Sequence, residues 1–528
     1  MTEMCPRTNR TPFWRRSSRA TSPSRANSNT AHPAISGTTR APCPTGRCEA
    51  HSRRAGRGER ERGEPMSKIC IVGNSVAAPR TPEEAPLAGW GQFLAEFLTS
   101  YHEVRNYARD AMTLRTYFTD RLATLLNLLA PGDLVLVNLG GVEQRIDNPL
   151  RYHGPREFKE FLYLYIDGIR AEGAFPVLVT PAARCAFTAG GEVADTRGEY
   201  PGLMREVAAE TGTALVDLGA FTTGWLRELG PRRARQFFRW LDAGEHPRHP
   251  EGIIDSSHFN EAGGRAVARM VAIALHESRD LPPGLIDVNT LATPPEYPPV
   301  LTEFTVEKPE FALHSEVRTG AAPVVERPAP GQLTGAMQKF SGTAEAGTSY
   351  VLFFENGGYL GGARVNAEGR WQWRRVLNWA AGDHLVQVVG YHPQGVTPLS
   401  TVAFTVRDSV EPPVVLGPRE GALSGARPRF SGTAAAGVTK VMVLEGGRLI
   451  ASAPVAEDGT WKVTHPHDWK PGTYTVEFVS VFSAIHSRPA RLTLRVHGVP
   501  EGNWIRESVS ARATCSDACD HLPFSGGR

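Results

Sequence analysis

The sequence predicts a multidomain protein in which a three-layer α/β domain is followed by two all-β sandwiches. Two patterns predict this fold class. Short apolar runs alternate with amphipathic stripes over residues 66–280, and a set of motifs recurs further on at an offset of 90 residues. The length of 528 residues agrees, because it exceeds one ordinary domain and suits roughly three or four.

The first 65 residues differ in composition from the rest of the chain. They carry 13 Arg against five Glu, a net charge of +8, so residues 66–528 carry −5 of the total of +3. Few aliphatic residues and no structural period predict a disordered basic leader over 1–65. Met66 directly precedes the first apolar run, which leaves open that the leader is not native and that Met66 is the functional start.

Charge and hydropathy exclude two classes of protein. The mildly acidic remainder of the chain argues against a nucleic-acid-binding protein. No apolar run reaches the ~18 residues of a membrane-spanning helix, so no membrane span is predicted.

The alternation over residues 66–280 predicts a doubly wound parallel sheet with helices on both faces. Continuous apolar runs, typical of buried parallel strands, occupy 68–72, 133–139, 175–180 and 214–218. Stripes at helical spacing begin at Phe93, Phe118 and Phe158, and a further helix is predicted over 261–276. Sites in such sheets form at the carboxyl ends of the strands, so we look there for functional side chains.

Two segments outside these patterns are predicted from composition. Residues 281–320 are rich in proline and predict a linker, with a strand around Leu301–Val306. Residues 499–528 show no period and predict a disordered tail. Five of the seven cysteines lie in residues 1–65 and 499–528, so neither a disulfide framework nor a metal site is predicted.

The repeat predicts two domains of the same fold. Phe-Ser-Gly-Thr-Ala occurs at 340–344 and again at 430–434, and a Gly-x-Trp and a Trp-x-x-Gly motif recur with the same offset. Each unit shows short alternating strands separated by Gly and Pro turns. We therefore predict seven-stranded β-sandwiches over 321–408 and 411–498.

The repeated units resemble bacterial immunoglobulin-like domains of extracellular proteins, a resemblance that specifies the fold and not a ligand. Two roles stay open for them, namely spacers and contacts with a glycan or a surface. Four tryptophans recur with the repeat, namely Trp371, Trp379, Trp461 and Trp469. Stacking on sugars is one interpretation of them, and the periodicity favours a role in the sandwich cores. Localisation stays open, because no apolar segment of a secretory signal stands on either side of Met66, whereas the domains resemble extracellular ones.

Two polar segments are candidates for chemistry. Ser75 follows the first predicted strand, where a hydroxyl at a strand-to-helix turn is placed to act as a nucleophile. Asp255 and His258 stand three residues apart before the helix predicted over 261–276, and on one helical turn the carboxylate would hold one imidazole nitrogen. Taken separately, each feature is more typical of an ordinary polar turn. A working site requires Ser75 and His258 within hydrogen-bonding distance.

Taken together, these features resemble the SGNH (GDSL-type) hydrolases, and a longer series over 68–278 is similar to their rhamnogalacturonan acetylesterase branch. The series comprises Gly73-Asn74-Ser75, Gly89-Trp90-Gly91-Gln92, Asn106, Ala108, Pro131-Gly132-Asp133, Thr180-Pro181-x-x-Arg184, Asp217 and Asp255-x-x-His258.

The resemblance implies a flavodoxin-like three-layer fold and an ester hydrolase. The implied catalytic residues are Ser75, His258 and Asp255, and the implied oxyanion donors are the backbone N–H groups of Ser75 and Ala111. The implied substrate is an acetylated carbohydrate or another small ester, with no metal and no organic cofactor.

Three departures from the family pattern bear on activity. Asn74 stands where the Gly-Asp-Ser motif has Asp, and Ala111 stands where a second motif has a Gly whose backbone N–H serves the oxyanion. Val142 stands where a third motif, Gly-x-Asn-Asp, has an Asn whose side chain donates to the oxyanion. Losing one such donor typically costs ~100–1,000-fold in turnover. Asn138, Gln144 and Arg145 are candidate replacements.

The sequence therefore leaves two main hypotheses open. The first is an active carbohydrate esterase, and the second is a weakened or inactive SGNH domain that binds a glycan or a protein. An acyl hydrolase or transferase acting on a non-carbohydrate ester is a third.

Overall fold

The computed structural model describes residues 67–293, 320–392 and 395–497. The predicted leader, the strand around Leu301–Val306 and the predicted tail lie outside the described residues. None of the helices in the described ranges combines the length and the apolar character that crossing a bilayer requires.

Five parallel strands form the sheet of the α/β domain, in the order β2-β1-β3-β4-β5. They are β1 (Lys68–Gly73), β2 (Glu103–Asn106), β3 (Leu134–Asn138), β4 (Phe175–Val179) and β5 (Ala214–Val216). The four apolar runs are strands, as predicted. Strand β2 was not predicted, because it is a half-exposed edge strand with a single aliphatic residue, Val104. The strand order is that of flavodoxin-like folds.

Helices cover both faces of this sheet. They are α1 (Leu114–Tyr117), α2 (Ala123–Leu126), α3 (Pro155–Ala171), α4 (Tyr200–Thr211), α5 (Leu218–Ala234), α6 (Glu261–Glu277) and α7 (Val288–Ala292). A π-helical turn, Phe118–Leu122, joins α1 to α2. Short 3₁₀ turns occur at Pro82–Glu84, Trp90–Gln92, Leu94–Phe97 and Arg235–Phe237. The stripe that begins at Phe158 and the helix predicted over 261–276 are confirmed. The stripe that begins at Phe118 is confirmed only in part, because Phe118 itself is exposed and the helical segment ends at Leu126.

The stripe that begins at Phe93 is not an α-helix, and this prediction was wrong. Its buried residues lie on 3₁₀ turns instead. Leu98 is extended and pairs with Ile286, and Thr99 donates to the carbonyl of Leu285. The chain leaves the helical conformation here because a distant segment offers a backbone partner. Leu285 and Ile286 are buried in the same core, although they fall in the stretch predicted as linker.

An antiparallel pair of strands flanks the sheet and bears on the site. Strand β6 (Phe238–Leu241) pairs with β7 (Ile253–Phe259), and Phe259 also pairs with Ala88. Phe259 is fully buried. The pairing of Phe259 with Ala88 therefore attaches the end of β7 to the loop that follows Ser75.

Two sandwiches with the same topology follow, as predicted. The first contains β8 (Val324–Arg327), β9 (Gln332–Thr334), β10 (Lys339–Thr343), β11 (Tyr350–Glu355), β12 (Gly358–Arg364), β13 (Arg370–Arg374), β14 (Gly382–His392), β15 (Gly395–Val396) and β16 (Ser400–Val406). The second contains β17 (Val414–Gly417), β18 (Leu423–Ser424), β19 (Arg429–Thr433), β20 (Lys440–Glu445), β21 (Arg448–Pro454), β22 (Thr460–Thr464), β23 (Gly472–Phe482), β24 (Ile485–His486) and β25 (Ala490–Val496).

Each sandwich packs a three-stranded sheet on a larger one. The orders are β13-β10-β8 on β12-β11-β14-β16-β9 in the first unit, and β17-β19-β22 on β18-β25-β23-β20-β21 in the second. Two very short strands per unit raise the count above the seven predicted. Trp371, Trp379 and Trp461 are buried in the cores, whereas Trp469 is half-buried and stacks on Tyr474 with ring centroids 4.2 Å apart.

Candidate active site

Ser75 lies just beyond the carboxyl end of β1, where the topology places a site. The carbonyl of Asn74 accepts hydrogen bonds from the N–H groups of Ala77 and Ala78, and its side-chain Oδ1 accepts from Val76 N. These bonds make a tight turn that directs the Ser75 hydroxyl outward. Its Oγ lies 2.8 Å from Nε2 of His258, which is 183 residues away along the chain.

Asp255 and His258 also lie side by side, but not on a helical turn as expected. Both belong to strand β7, and helix α6 begins only at Glu261, capped by the side chain of Asn260. The helical expectation was wrong because β7 pairs with β6 and bulges. Phe238 pairs with Phe259 and Trp240 with Ile254, so four residues of β7 stand opposite one residue of β6.

The bulge brings the two side chains together. Asp255 Oδ1 accepts from the backbone N–H groups of Ser257 at 2.9 Å and His258 at 3.1 Å. Its other oxygen, Oδ2, lies 2.7 Å from His258 Nδ1. The carboxylate therefore shapes the backbone and orients the imidazole, with Nε2 left facing Ser75.

Arg239 also contacts Asp255, and we did not predict it. It is the one residue of β6 opposite the bulge, and its Nη2 lies 3.1 Å from Asp255 Oδ2. In the sequence, Arg239 stands out only as a charged residue between two apolar ones, Phe238 and Trp240. Burial alone would raise the pKa of Asp255, but hydrogen bonds from His258 and from backbone N–H groups lower this pKa to about 2. Asp255 is therefore ionised at neutral pH.

Ala111 lies in the turn between β2 and α1, with a left-handed φ of 61°. This backbone conformation favours glycine, the residue that the family resemblance expects there. Within the described residues, neither the Ala111 N–H nor the Ser75 N–H donates a hydrogen bond. Both predicted oxyanion donors are thus available to an external acceptor.

The three candidate replacements for the missing Asn already have other partners. Asn138 accepts from Trp90 Nε1 at 3.1 Å and donates to the carbonyl of Val179 at 3.0 Å. Gln144 Nε2 donates to the carbonyls of Gly141 and Thr196, and Arg145 pairs with Asp147. All three side chains are therefore bonded to other groups, and none of them is seen in place of the Asn donor that is missing at position 142.

Buried Glu143 holds the loop that contains Val142. Its two carboxylate oxygens accept from the N–H groups of Leu114, at 3.0 Å, and Val142, at 2.9 Å. Burial raises the pKa of Glu143, and these backbone bonds act in the opposite direction. The carboxylate joins this loop to the first turn of α1, close to Ala111 in the sequence.

Arg184, from the Thr-Pro-x-x-Arg segment, is a cation without a partner in the described part of the chain. Its Nε is buried and no hydrogen bond or ion pair of its guanidinium is found there. Burial lowers its pKa, and the nearby carboxylate of Asp255 opposes this effect. The next residue, Cys185, donates from its N–H to the carbonyl of Ser256 at 2.8 Å, so Arg184 lies beside the bulge of β7. Among the described residues, no group of three or more His, Cys, Asp or Glu is arranged to hold a metal ion.

Comparisons with known proteins find relatives of the α/β domain. Rhamnogalacturonan acetylesterase RhgT of Bacillus subtilis is 33% identical over 211 residues, which are 40% of this chain and 90% of that protein. Probable rhamnogalacturonan acetylesterase YesY of Bacillus subtilis is 31% identical over 36% of this chain and 83% of its own. The crystal structure of the Bacillus subtilis protein YxiM is 28% identical, covers 40% of this chain and 56% of that chain, and has a TM-score of 0.35. No protein-family model matches the sequence.

The identity to RhgT over nine-tenths of its length shows the family. The chain belongs, through its N-terminal α/β domain, to the rhamnogalacturonan acetylesterase-like SGNH/GDSL-type esterases.

Proposed function

We propose that the α/β domain is a serine esterase that removes O-acetyl groups from a carbohydrate. The observation that carries this proposal is the chain of contacts from Ser75 Oγ to His258 Nε2, at 2.8 Å, and from His258 Nδ1 to Asp255 Oδ2, at 2.7 Å. A hydroxyl, an imidazole and a carboxylate in this order are the parts of an activated serine nucleophile.

In the proposed mechanism, Ser75 Oγ attacks the carbonyl carbon of the ester while His258 Nε2 takes its proton. Asp255 holds the Nδ1 side of the ring and stabilises the imidazolium that forms. The N–H groups of Ser75 and Ala111 donate to the oxyanion. The ester C–O bond then breaks, and the sugar hydroxyl leaves with the proton from His258. Water activated by His258 hydrolyses the acetyl-Ser75 bond, which releases acetate and regenerates the serine.

The substrate class is proposed from two observations. The relative RhgT is named as a rhamnogalacturonan acetylesterase, and the relative YesY as a probable one. Arg184 lies beside the bulge of β7 without an ionic partner among the described residues, and a half-buried cation whose Nε is buried without a partner favours an anionic ligand. Both observations support an acetylated carbohydrate that carries uronic acids over a neutral one.

A weakened or inactive domain that binds a glycan or a protein is the second candidate. Val142 favours this candidate, because it cannot donate to the oxyanion and because Asn138, Gln144 and Arg145 are bonded to other groups. This candidate predicts glycan or protein binding without turnover.

Hydrolysis assays on the full chain test the proposal. We expect release of p-nitrophenol from p-nitrophenyl acetate and of acetate from acetylated rhamnogalacturonan, with slower release from acetylated xylan. Ser75→Ala should abolish both activities, whereas Ser278→Ala, at the end of α6, should leave them unchanged. Equal rates for wild type and Ser75→Ala would contradict the assignment of the nucleophile. Binding of the polymer without acetate release would favour the second candidate.

A further inference from the structure

The first sandwich contacts the segment that carries the catalytic carboxylate and imidazole. Strand β13 lies beside β7, and Gln372 Nε2 donates to the carbonyl of Gly252 at 2.6 Å, just before β7 begins. Beyond β13, Asn378 N donates to the carbonyl of Phe187 at 2.7 Å, and Leu377 pairs with Phe187. The sandwich is therefore attached both to the residue before β7 and to the loop after β4.

Arg374, the last residue of β13, lies between these two attachments. Its Nη1 is 3.4 Å from Ser256 Oγ and its Nη2 is 3.3 Å from the carbonyl oxygen of Cys185. Its guanidinium carbon lies 4.4 Å from the ring centroid of Trp240, a cation–π contact. One side chain of the sandwich thus contacts β7, β6 and the loop after β4.

Two of these three contacts are one residue away from Asp255 or from its partner Arg239. Ser256 follows Asp255 within the bulge, and Trp240 follows Arg239, which pairs with Asp255. The bulge interrupts the regular pairing of β6 with β7 over four residues, so other contacts must hold its backbone. Cys185 N donates to the carbonyl of Ser256 at 2.8 Å, and Arg374 contacts the carbonyl of Cys185 and the hydroxyl of Ser256.

We propose that Arg374 is a positioning residue for Asp255 and His258, so that the first sandwich forms part of the active site. The residue acts through Ser256, Cys185 and Trp240 and touches neither Ser75 nor His258. The inference rests on the proposed esterase function, and its test is chosen so that the two can fail separately.

Kinetics of three variants of the full chain test this role. We expect Arg374→Ala to lower kcat on p-nitrophenyl acetate about 10- to 100-fold, as a small displacement of catalytic groups does. KM should stay within about twofold, because the substrate is not contacted. Arg374→Lys, which keeps the charge and the stem over Trp240, should recover part of kcat. The matched control is Arg370→Ala on the same strand, whose half-exposed guanidinium lies 3.8 Å from Glu251 and which should match wild type.

A spectroscopic measurement separates positioning from a general loss of stability. The proton between His258 Nδ1 and Asp255 Oδ2 gives a low-field NMR resonance, which His258→Gln identifies by its disappearance. We expect this resonance to be kept in Arg370→Ala and shifted or lost in Arg374→Ala, at a temperature where both variants are folded. An unchanged resonance with unchanged kcat in Arg374→Ala would overturn the proposal. If the wild type hydrolyses no ester, the proposed function fails, and the comparison of resonances still decides the role of Arg374.

Discussion

Arg80 donates a hydrogen bond from Nη2 to the carbonyl oxygen of Ser75 at 2.8 Å. The same guanidinium pairs with Asp110, the residue before Ala111, and only 5% of the Arg80 side chain is exposed. The two proposed oxyanion donors, Ser75 and Ala111, lie on separate loops. Arg80 is thus a direct link between these loops, and it was not among the residues singled out from the sequence.

Replacing Arg80 with alanine should impair turnover more than binding. We expect Arg80→Ala to lower kcat about tenfold or more, because the relative positions of the two N–H donors are no longer set. Steady-state kinetics on p-nitrophenyl acetate measure this. Arg105→Ala is the control, since Arg105 is exposed on β2 and pairs with Glu103. Wild-type kcat in Arg80→Ala would show that the link has no catalytic role.

Restoring an amide at position 142 should raise activity. If the site lacks a third oxyanion donor, Val142→Asn should increase kcat by about 10- to 100-fold, part of the effect of losing one such donor. Val142→Asp introduces a side chain of nearly the same shape as that asparagine, but it places a negative charge near the oxyanion. It should therefore not increase kcat. A gain in both variants, or in neither, would mean that the missing donor does not limit turnover.

Acid should destabilise the protein partly through Asp255. Its pKa is lowered to about 2 in the folded protein, below the ~3.9 of an unfolded chain. The stability contributed by the ionised carboxylate is present above about pH 4 and is lost as the pH falls toward 2.

Between about pH 4 and pH 2, the unfolding free energy of Asp255→Asn should therefore fall by about 2 kcal/mol less than that of the wild type. Urea unfolding at a series of pH values measures this slope, with Asp280→Asn as the control at an exposed carboxylate. Identical slopes for wild type and Asp255→Asn would contradict the lowered pKa.

The second sandwich packs on the loop after β3 through a contact that admits no side chain. Met442 and Leu444 pack with Ile146, and a Cβ added at Gly154 would lie 1.9 Å from the carbonyl oxygen of Gly447. Gly154 has a φ of −63°, which alanine adopts freely, so Gly154→Ala changes only this contact.

We expect Gly154→Ala to lower the unfolding free energy by about 1–3 kcal/mol, the range for overpacked sites. Denaturant unfolding measures it, and limited proteolysis should show earlier cleavage between the domains. Gly202→Ala in α4 is the matched control, because an added Cβ meets nothing within 4 Å there. Equal stability of Gly154→Ala and wild type would mean that the sandwich moves aside at little cost.

Local pattern was sufficient for most of the architecture. Buried parallel strands read as continuous apolar runs because both faces are covered, and β1, β3, β4 and β5 were predicted on this basis. The repeat of 90 residues predicted two units of one fold, and the structure shows the same sheet order in both. Edge strand β2 and the turns after Phe93 were missed because neighbours distant in sequence decide them.

The sequence by itself determined the α/β fold, the repeated sandwiches and the residue types Ser75, Asp255 and His258 as candidates. Only the tertiary structure decided that Asp255 and His258 meet on a bulged strand, that Arg239 shares the carboxylate and that Arg80 and Arg374 reach the site from other segments. The physical reason is that even near neighbours such as Asp255 and His258 meet only because β7 pairs with β6 and bulges, and that Arg374 lies 118 residues from Ser256 along the chain. The formation of these contacts depends on how the strands and domains pack, which no local spacing of residues encodes.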